Sequence, residues 1–271
     1  MKLSIITVNL NNLEGLKRTY DSVVSQTFTD YEWLVIDGGS TDGSREFIEQ
    51  HQDKFAYWCS EPDKGIYNAM NKGIVRAKGE YLNFMNSGDC FADKETLAGV
   101  FEKERTADIL YGYITVGGIK GAYHPYRTTN NNPRWYEICY AGTLHHQSTF
   151  IKRELFDKIG LYDDSYKIAA DIKWFVIAIS KHGASCEFIA NMIAIFAPGG
   201  KSTHCSDNEK NKLHNDLFPY YFTQEELLTF YKVSIIQSYI PTRFLFKVLT
   251  TIAFHLRGFY KRIDRPKTMN G

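Results

Sequence analysis

Residues 32–44 read EWLVIDGGSTDGS. A run of apolar residues stops at a carboxylate, Asp37, turns through Gly38 and Gly39, and enters Ser40, Thr41 and Asp42, residue types that cap a helix over 42–52. A second stretch, GEYLNFMNSGD (79–89), repeats the plan and ends in the turn Asn86-Ser87-Gly88-Asp89. Open α/β sheets bind ligands outside the carboxyl ends of their strands. Asp37 and Asp89 are therefore the first candidate site residues.

Working outward, LSIITVNL (3–10) reads as a fully buried first strand, and 14–25 shows helical spacing at Leu16, Tyr20, Val23 and Val24. Strands over 56–60, 80–85 and 109–116 alternate with helices over 66–77 and 93–104. This alternation predicts an α/β fold, a Rossmann-like and mostly parallel sheet flanked by crossover helices. Residues 117–142, rich in Gly, Asn and aromatics, read as a long loop or a short hairpin with loops. Strand-like QSTFI (147–151), helices over 153–159 and 171–181, and one or two strands over 184–196 follow. After a loop over 197–204 the chain reads as helical from 206. The expected organisation is one domain over 1–205 and a helical C-terminal extension over 206–271.

Composition narrows the class. The chain has 271 residues, 44% hydrophobic and 15% aromatic, enough for one large core plus an appendage. A net charge of +1 gives no case for nucleic acid as a partner. The five cysteines, at 59, 90, 139, 186 and 205, form no C-x-x-C pair, which fits a reducing, cytoplasmic compartment. The start at strand-like LSIITVNL predicts no signal peptide, and no uncharged apolar run approaches the ~20 residues of a transmembrane helix.

Each candidate has a chemical reading and a plainer one. Asp37 can accept a hydrogen bond from a nucleotide base N–H, or be a turn acid. Asp89 offers a hard oxygen to a divalent metal on a diphosphate, a role needing only one or two carboxylates. In SEPDKGIYNAMNKGI (60–74), Asp63 can contact a nucleotide or favour a helix N-terminus; Lys72 can reach phosphate or stay solvated. Asp171 opens an apolar helix, as a cap or as a general base that deprotonates an acceptor hydroxyl. His145 and His146 precede a strand, where neighbours face opposite ways, so only one can line a pocket.

Together these segments resemble inverting glycosyltransferases of family 2, which have the GT-A fold. The similarity runs over about residues 3–205 and rests on an ordered set: SIITVNLNN, EWLVIDGGSTD, EPDKGIYNAMNKG, NSGD, HQSTF, IAAD and GGKS. It is nearest to the group that builds bacterial exopolysaccharide, capsule and O-antigen, including colanic-acid-type transferases. The resemblance implies a nucleotide-sugar donor, UDP-linked, and a glycan or lipid-linked acceptor, with Mn2+ or Mg2+ as cofactor. It implies Asp37 on a uracil-type base, Asp63 on the nucleoside, Asp89 on the metal and Asp171 as the base. Donor contacts are further implied at Val8, Asn9, Asn11, Lys72, Asn86, Ser87, Gly88 and His146, and at Lys201 and Ser202 of a mobile loop near the diphosphate.

Several positions depart from the pattern. The first strand ends Val8-Asn9-Leu10-Asn11 where relatives often have P-T-Y-N, so Leu10 replaces an aromatic that could stack on the base. D-D-G-S is here Asp37-Gly38-Gly39-Ser40, and D-x-D-D keeps only Asp89. Fewer carboxylates imply weaker metal binding. Two competing classes are a nucleotidyltransferase, which would want a Gly- and Lys/Arg-rich loop after the first strand, and a nucleotide-sugar-binding module without catalysis.

The tail adds a stripe at Leu245, Leu249, Ile252, Leu256, Phe259 and Ile263, one face of a helix. Residues 243–267 hold seven Lys/Arg and one Asp. A basic amphipathic helix can lie on an anionic leaflet, which predicts peripheral attachment at the inner face of the plasma membrane. The same stripe can pack on its own domain or on a partner chain in an oligomer.

Overall fold

The computed structural model describes residues 1–117, 122–123, 144–197, 206–217 and 220. The expected loop residues Lys201 and Ser202 and the stripe over 243–263 lie outside the described residues. One compact unit runs Met1–Tyr221 and a second Phe222–Gly271.

Strands β1 (Leu3–Asn9), β2 (Tyr31–Asp37), β3 (Tyr57–Ser60) and β4 (Tyr81–Phe84) form a parallel half-sheet in the order β3-β2-β1-β4. Every residue of β1 is buried, as expected of parallel strands covered on both faces. The crossovers are α1 (Leu13–Val24), α2 (Ser44–Gln50) and α3 (Ile66–Arg76). Asn12 caps α1 by accepting from the Gly15 N–H at 3.2 Å. Below the sheet, Trp33 packs edge-on against Phe55 at 4.8 Å and donates its indole N–H to Thr7 Oγ1 at 3.0 Å.

The second half of the sheet is mixed. The short β5 (Cys90–Phe91), then α4 (Thr96–Phe101), β6 (Ile109–Val116), β7 (Ala122–Tyr123), β8 (Thr149–Lys152), α5 (Arg153–Ile159), α6 (Ala170–Ser180) and β9 (Cys186–Phe196) complete it, followed by α7 (Asp207–Leu217). The order continues β4-β8-β6-β9-β5, with β8 antiparallel to both neighbours and β6 parallel to β9. The expected α/β class holds, with β8 inserted between β4 and β6. That insertion matters: an antiparallel β8 starts where β4 ends, so residues 146–148 sit beside the turn after β4.

An aromatic cluster fixes α6. Trp174 stacks on Phe156 at 4.5 Å, and Phe156 meets Phe84 of β4 at 6.3 Å. Asp171 lies three residues before Trp174, so the cluster also anchors the acid. Helix α7, assigned by the sequence to the extension, is tied to the α6 region within the first compact unit. Asp216 pairs with Lys173 at 2.7 Å, and Glu209 Oε1 accepts the N–H groups of Lys167, Ile168 and Ala169.

Candidate active site

The parallel ladder sets the first corner of the site. Asn9, Asp37 and Ser60 stand side by side in register at the ends of β1, β2 and β3. Asp37 is fully buried. Its Oδ1 accepts Asn9 Nδ2 at 2.7 Å and Ser40 Oγ at 2.6 Å; its Oδ2 accepts Ser60 Oγ at 2.6 Å and the Ser40 N–H at 2.9 Å. Burial pushes this carboxyl up, but the donors from Ser40, Ser60 and Asn9 outweigh it and hold it below its ordinary range. A base N–H, the partner expected from sequence, finds these oxygens already engaged by protein donors.

Asn11 and Ser40 join the loops after β1 and β2. Ser40 Oγ accepts the Asn11 N–H at 2.7 Å, and Asn11 Oδ1 accepts the Thr41 N–H at 2.8 Å. Val8 is buried and takes part through its carbonyl, which accepts the Ser87 N–H at 3.1 Å.

Asp63 faces this corner. Its Oδ1 accepts the Gly65 N–H at 2.8 Å. A Cβ at Gly38 would fall 2.6 Å from its Oδ2 and 3.2 Å from Leu10 Cδ1. The carboxylate of Asp63 therefore fills the space that the missing acid of D-D-G-S would use. Lys72, expected on phosphate, pairs with Glu61 at 2.8 Å. Burial lowers the Lys72 ammonium, but the Glu61 carboxylate outweighs it and raises the net value.

The turn after β4 forms the second corner. Gly88 takes φ +106°, a left-handed conformation that a Cβ would strain. Its N–H donates to Thr19 Oγ1 at 2.9 Å, the Ser87 carbonyl accepts Asn12 Nδ2 at 2.9 Å, and Thr19 Oγ1 donates to the Asp89 carbonyl at 2.7 Å. Helix α1 thus holds the whole turn. Asp89 is 5% exposed; its Oδ1 accepts the Ala197 N–H at 2.9 Å and its Oδ2 accepts Gln147 Nε2 at 3.0 Å. Burial dominates and raises its pKa, against the lowering by Ala197, Gln147 and His146.

The divalent cation that the resemblance implies fits this corner. Asp89 forms no Lys or Arg salt bridge among the described residues, and its two oxygens meet only the neutral donors Ala197 N–H and Gln147 Nε2. Asn86 Oδ1, an oxygen of the same turn, is buried without a hydrogen-bond partner. No group of three His, Cys, Asp or Glu side chains placed to hold a metal ion occurs among the described residues. The remaining ligands of an ion at Asp89 would be phosphate oxygens and water, the usual situation for Mg2+.

Asp171 makes the third corner, near the start of α6. Its Oδ2 lies 2.9 Å from His146 Nδ1, and its Oδ1 accepts the Tyr67 hydroxyl and the Ile172 N–H, both at 2.9 Å. Burial pushes the Asp171 carboxyl up, but the hydrogen bond and charge of His146, with Tyr67 and Ile172, hold it below the usual range. Tyr67 is 3% exposed and is driven well above the usual tyrosine value, first by burial and then by Asp171, so it remains a donor. His146 Nε2 lies 3.0 Å from Asn86 Nδ2, which links the second and third corners.

Tyr67, Ser60, Thr19 and Gln147 were not singled out from sequence. Gln147 had a signal in its place after His146 in HQSTF, whereas the others emerge only from cross-strand register and helix packing.

Acids at the carboxyl edge of a parallel half-sheet, with another at a helix start, make an α/β enzyme whose ligand lies across that edge. The chain belongs to glycosyl transferase family 2, whose profile matches residues 4–165, and is a glycosyltransferase. An uncharacterized glycosyltransferase of Mycobacterium tuberculosis is 36% identical over 182 residues, covering 65% of this chain and 68% of the relative. A PGL/p-HBAD biosynthesis glycosyltransferase of Mycobacterium bovis is 28% identical over 219 residues, 76% of this chain and 81% of that protein. Among solved structures, S. aureus TarS 1–349 in complex with UDP-GlcNAc superposes with a TM-score of 0.67 at 18% identity, covering 83% of this chain and 69% of that one. A Pyrobaculum calidifontis mannosyltransferase with GDP-Man and Mn2+ gives 0.55 at 18% identity, covering 74% of this chain and 58% of that one. These likenesses establish the GT-A-like fold. No helix among the described residues is long and apolar enough to cross a membrane.

Proposed function

We propose that this chain transfers a sugar with inversion from a UDP-sugar to a hydroxyl of a glycan or lipid-linked acceptor in cell-surface polysaccharide synthesis. The observation that carries the reading is the pairing of roles at one edge: Asp89 on the turn after β4, and Asp171 held ionised at the start of α6. Asp171 accepts the proton of the acceptor hydroxyl. The acceptor oxygen then bonds to the anomeric carbon as the bond from that carbon to the diphosphate oxygen breaks, so an α-linked donor gives a β-linked product. Mn2+ or Mg2+, when bound at Asp89, neutralises charge on the leaving diphosphate.

On the donor side, Asp63 is better suited than Asp37 to accept a base N–H. Asp37 is fully buried and already accepts from Asn9, Ser40 and Ser60, whereas Asp63 is only partly buried. Asp37 instead shapes the loop on which the nucleoside rests. The structures of TarS with UDP-GlcNAc and of the mannosyltransferase with GDP-Man and Mn2+ support a nucleotide-sugar donor. The mycobacterial relative named a PGL/p-HBAD biosynthesis glycosyltransferase supports sugar transfer as the activity.

The test is a thermal-shift screen of UDP-, GDP- and dTDP-sugars with and without Mn2+. A ligand at 100 times its Kd stabilises by about 2.7 kcal/mol. A UDP-sugar shift that grows with Mn2+ is expected, and no shift with any nucleotide sugar would overturn the reading.

A further inference from the structure

His146 and Gln147 are consecutive residues of one 3-10 turn, His146–Ser148, yet their side chains serve different acids. His146 Nδ1 lies 2.9 Å from Asp171 Oδ2, and Gln147 Nε2 donates to Asp89 Oδ2 at 3.0 Å. The turn is rigidly held. Asn83 Nδ2, from β4, donates to the carbonyls of Gln147 and Thr149 at 3.0 Å each, and Thr149 Oγ1 donates to the His145 carbonyl at 2.6 Å. Gln147 itself is 4% exposed, so its amide has little access to water as an alternative partner.

We propose that the His146–Gln147 turn is the positioning element of the reaction, fixing the acceptor-side acid Asp171 through His146 and the diphosphate-side acid Asp89 through Gln147. The proposal rests on the roles given to those two acids above. Asp171 Oδ1 accepts the Ile172 N–H and faces the Tyr67 hydroxyl, whose one proton it shares with the Ile168 carbonyl, while Oδ2 faces only His146, whose N–H aims it. With Nδ1 donating to Asp171, Nε2 accepts from Asn86 Nδ2, which fixes both the tautomer and the ring plane. Asn86 belongs to the same turn as Asp89. The base is therefore tied to the donor side twice, through Asn86–His146 and through the backbone joining His146 to Gln147.

The other titratable groups that face Asp171 are Tyr67 and Tyr162, both driven well above the usual tyrosine range by burial and by the Asp171 charge. Neither has a ring nitrogen; His146 is the one of these groups that can donate to Asp171 through one nitrogen while the other is held by Asn86.

The experiment uses the full chain with Mn2+ and UDP-GlcNAc as probe, following UDP release, UDP binding by calorimetry, and the Asp171 carboxyl by 13C NMR titration. An Asn at 146 sets an amide N–H near the position of Nδ1; a Gln reaches toward Nε2 instead. His146→Gln should lower kcat by about 10–100-fold, the scale of one hydrogen bond to a charged group, raise the Asp171 titration, and leave the UDP Kd within about threefold. His146→Asn should recover at least half of that loss on a logarithmic scale and return the titration toward wild type. Gln147→Ala should weaken UDP binding in the presence of Mn2+ by about tenfold and leave the Asp171 titration in place.

Equal impairment of the Asn and Gln variants with an unmoved Asp171 titration would overturn the proposal, as would unchanged UDP binding in Gln147→Ala. If the wild type neither binds UDP nor turns over UDP-GlcNAc, the reading of a UDP-linked donor fails at that point. The Asp171 titration across the two His146 variants still decides whether His146 governs that acid.

Discussion

Asp37 Oδ1 accepts the side-chain amide of Asn9 at 2.7 Å, and the two residues face each other as the last register pair of the β1–β2 ladder. The β-strands therefore end in a cross-strand polar lock, completed by Ser60 on β3. Replacing Asp37 by Ala strands the Asn9, Ser40 and Ser60 donors in a buried site. Leaving such groups unpaired costs about 1–3 kcal/mol each where no water enters, so a net loss of about 3 kcal/mol is expected. Thermal unfolding should fall by roughly 10 °C for a domain of this size, and catalysis should fail with the fold rather than selectively.

Gly38 supplies a compensation test. An acid at this position would restore the D-D-G-S pattern, but its Cβ would sit 2.6 Å from Asp63 Oδ2. Gly38→Asp should weaken nucleotide binding and reduce stability through steric and like-charge conflict. The double variant Gly38→Asp/Asp63→Ala should recover binding, as read by UDP-induced thermal shift. Wild-type-like binding by Gly38→Asp alone would show that Asp63 does not own this space.

Much of this was legible in the sequence because strands that are buried on both faces advertise themselves. LSIITVN and EWLVID are near-continuous apolar runs, and NSGD sits where β4 must turn. The antiparallel β8 was visible as a strand, but its insertion between β4 and β6 was not, since pairing partners are set by packing across the sheet rather than by local pattern. The same limit hid the lock on Asp37 and the Lys72–Glu61 pair. A residue's chemistry can be read locally; whether its lone pairs or charge are already spent depends on neighbours that are distant in sequence.

Acid stability follows from depressed carboxyls. Burial raises Asp163, but the Lys173 ammonium and the Ser165 donors outweigh it and bring it to about 2. Asp37 and Asp171 are also lowered. A depressed carboxyl contributes its full stabilisation above the unfolded value, about 3.9 for Asp, and loses it as pH falls through the folded value. The urea midpoint should therefore drop steeply between about pH 4 and pH 2. Asp163→Asn should lower the midpoint near neutral pH and flatten that drop.

The Asp171→Asn variant separates donor binding from proton transfer. Asn keeps the size of the side chain and an oxygen for Tyr67, but it cannot take up the acceptor's proton. Turnover of the donor that the ligand screen identifies should fall by about 100–10,000-fold, the scale of lost general-base catalysis, while calorimetric affinity for that donor with Mn2+ stays within a few-fold of wild type. Full turnover by Asp171→Asn would rule out Asp171 as the base.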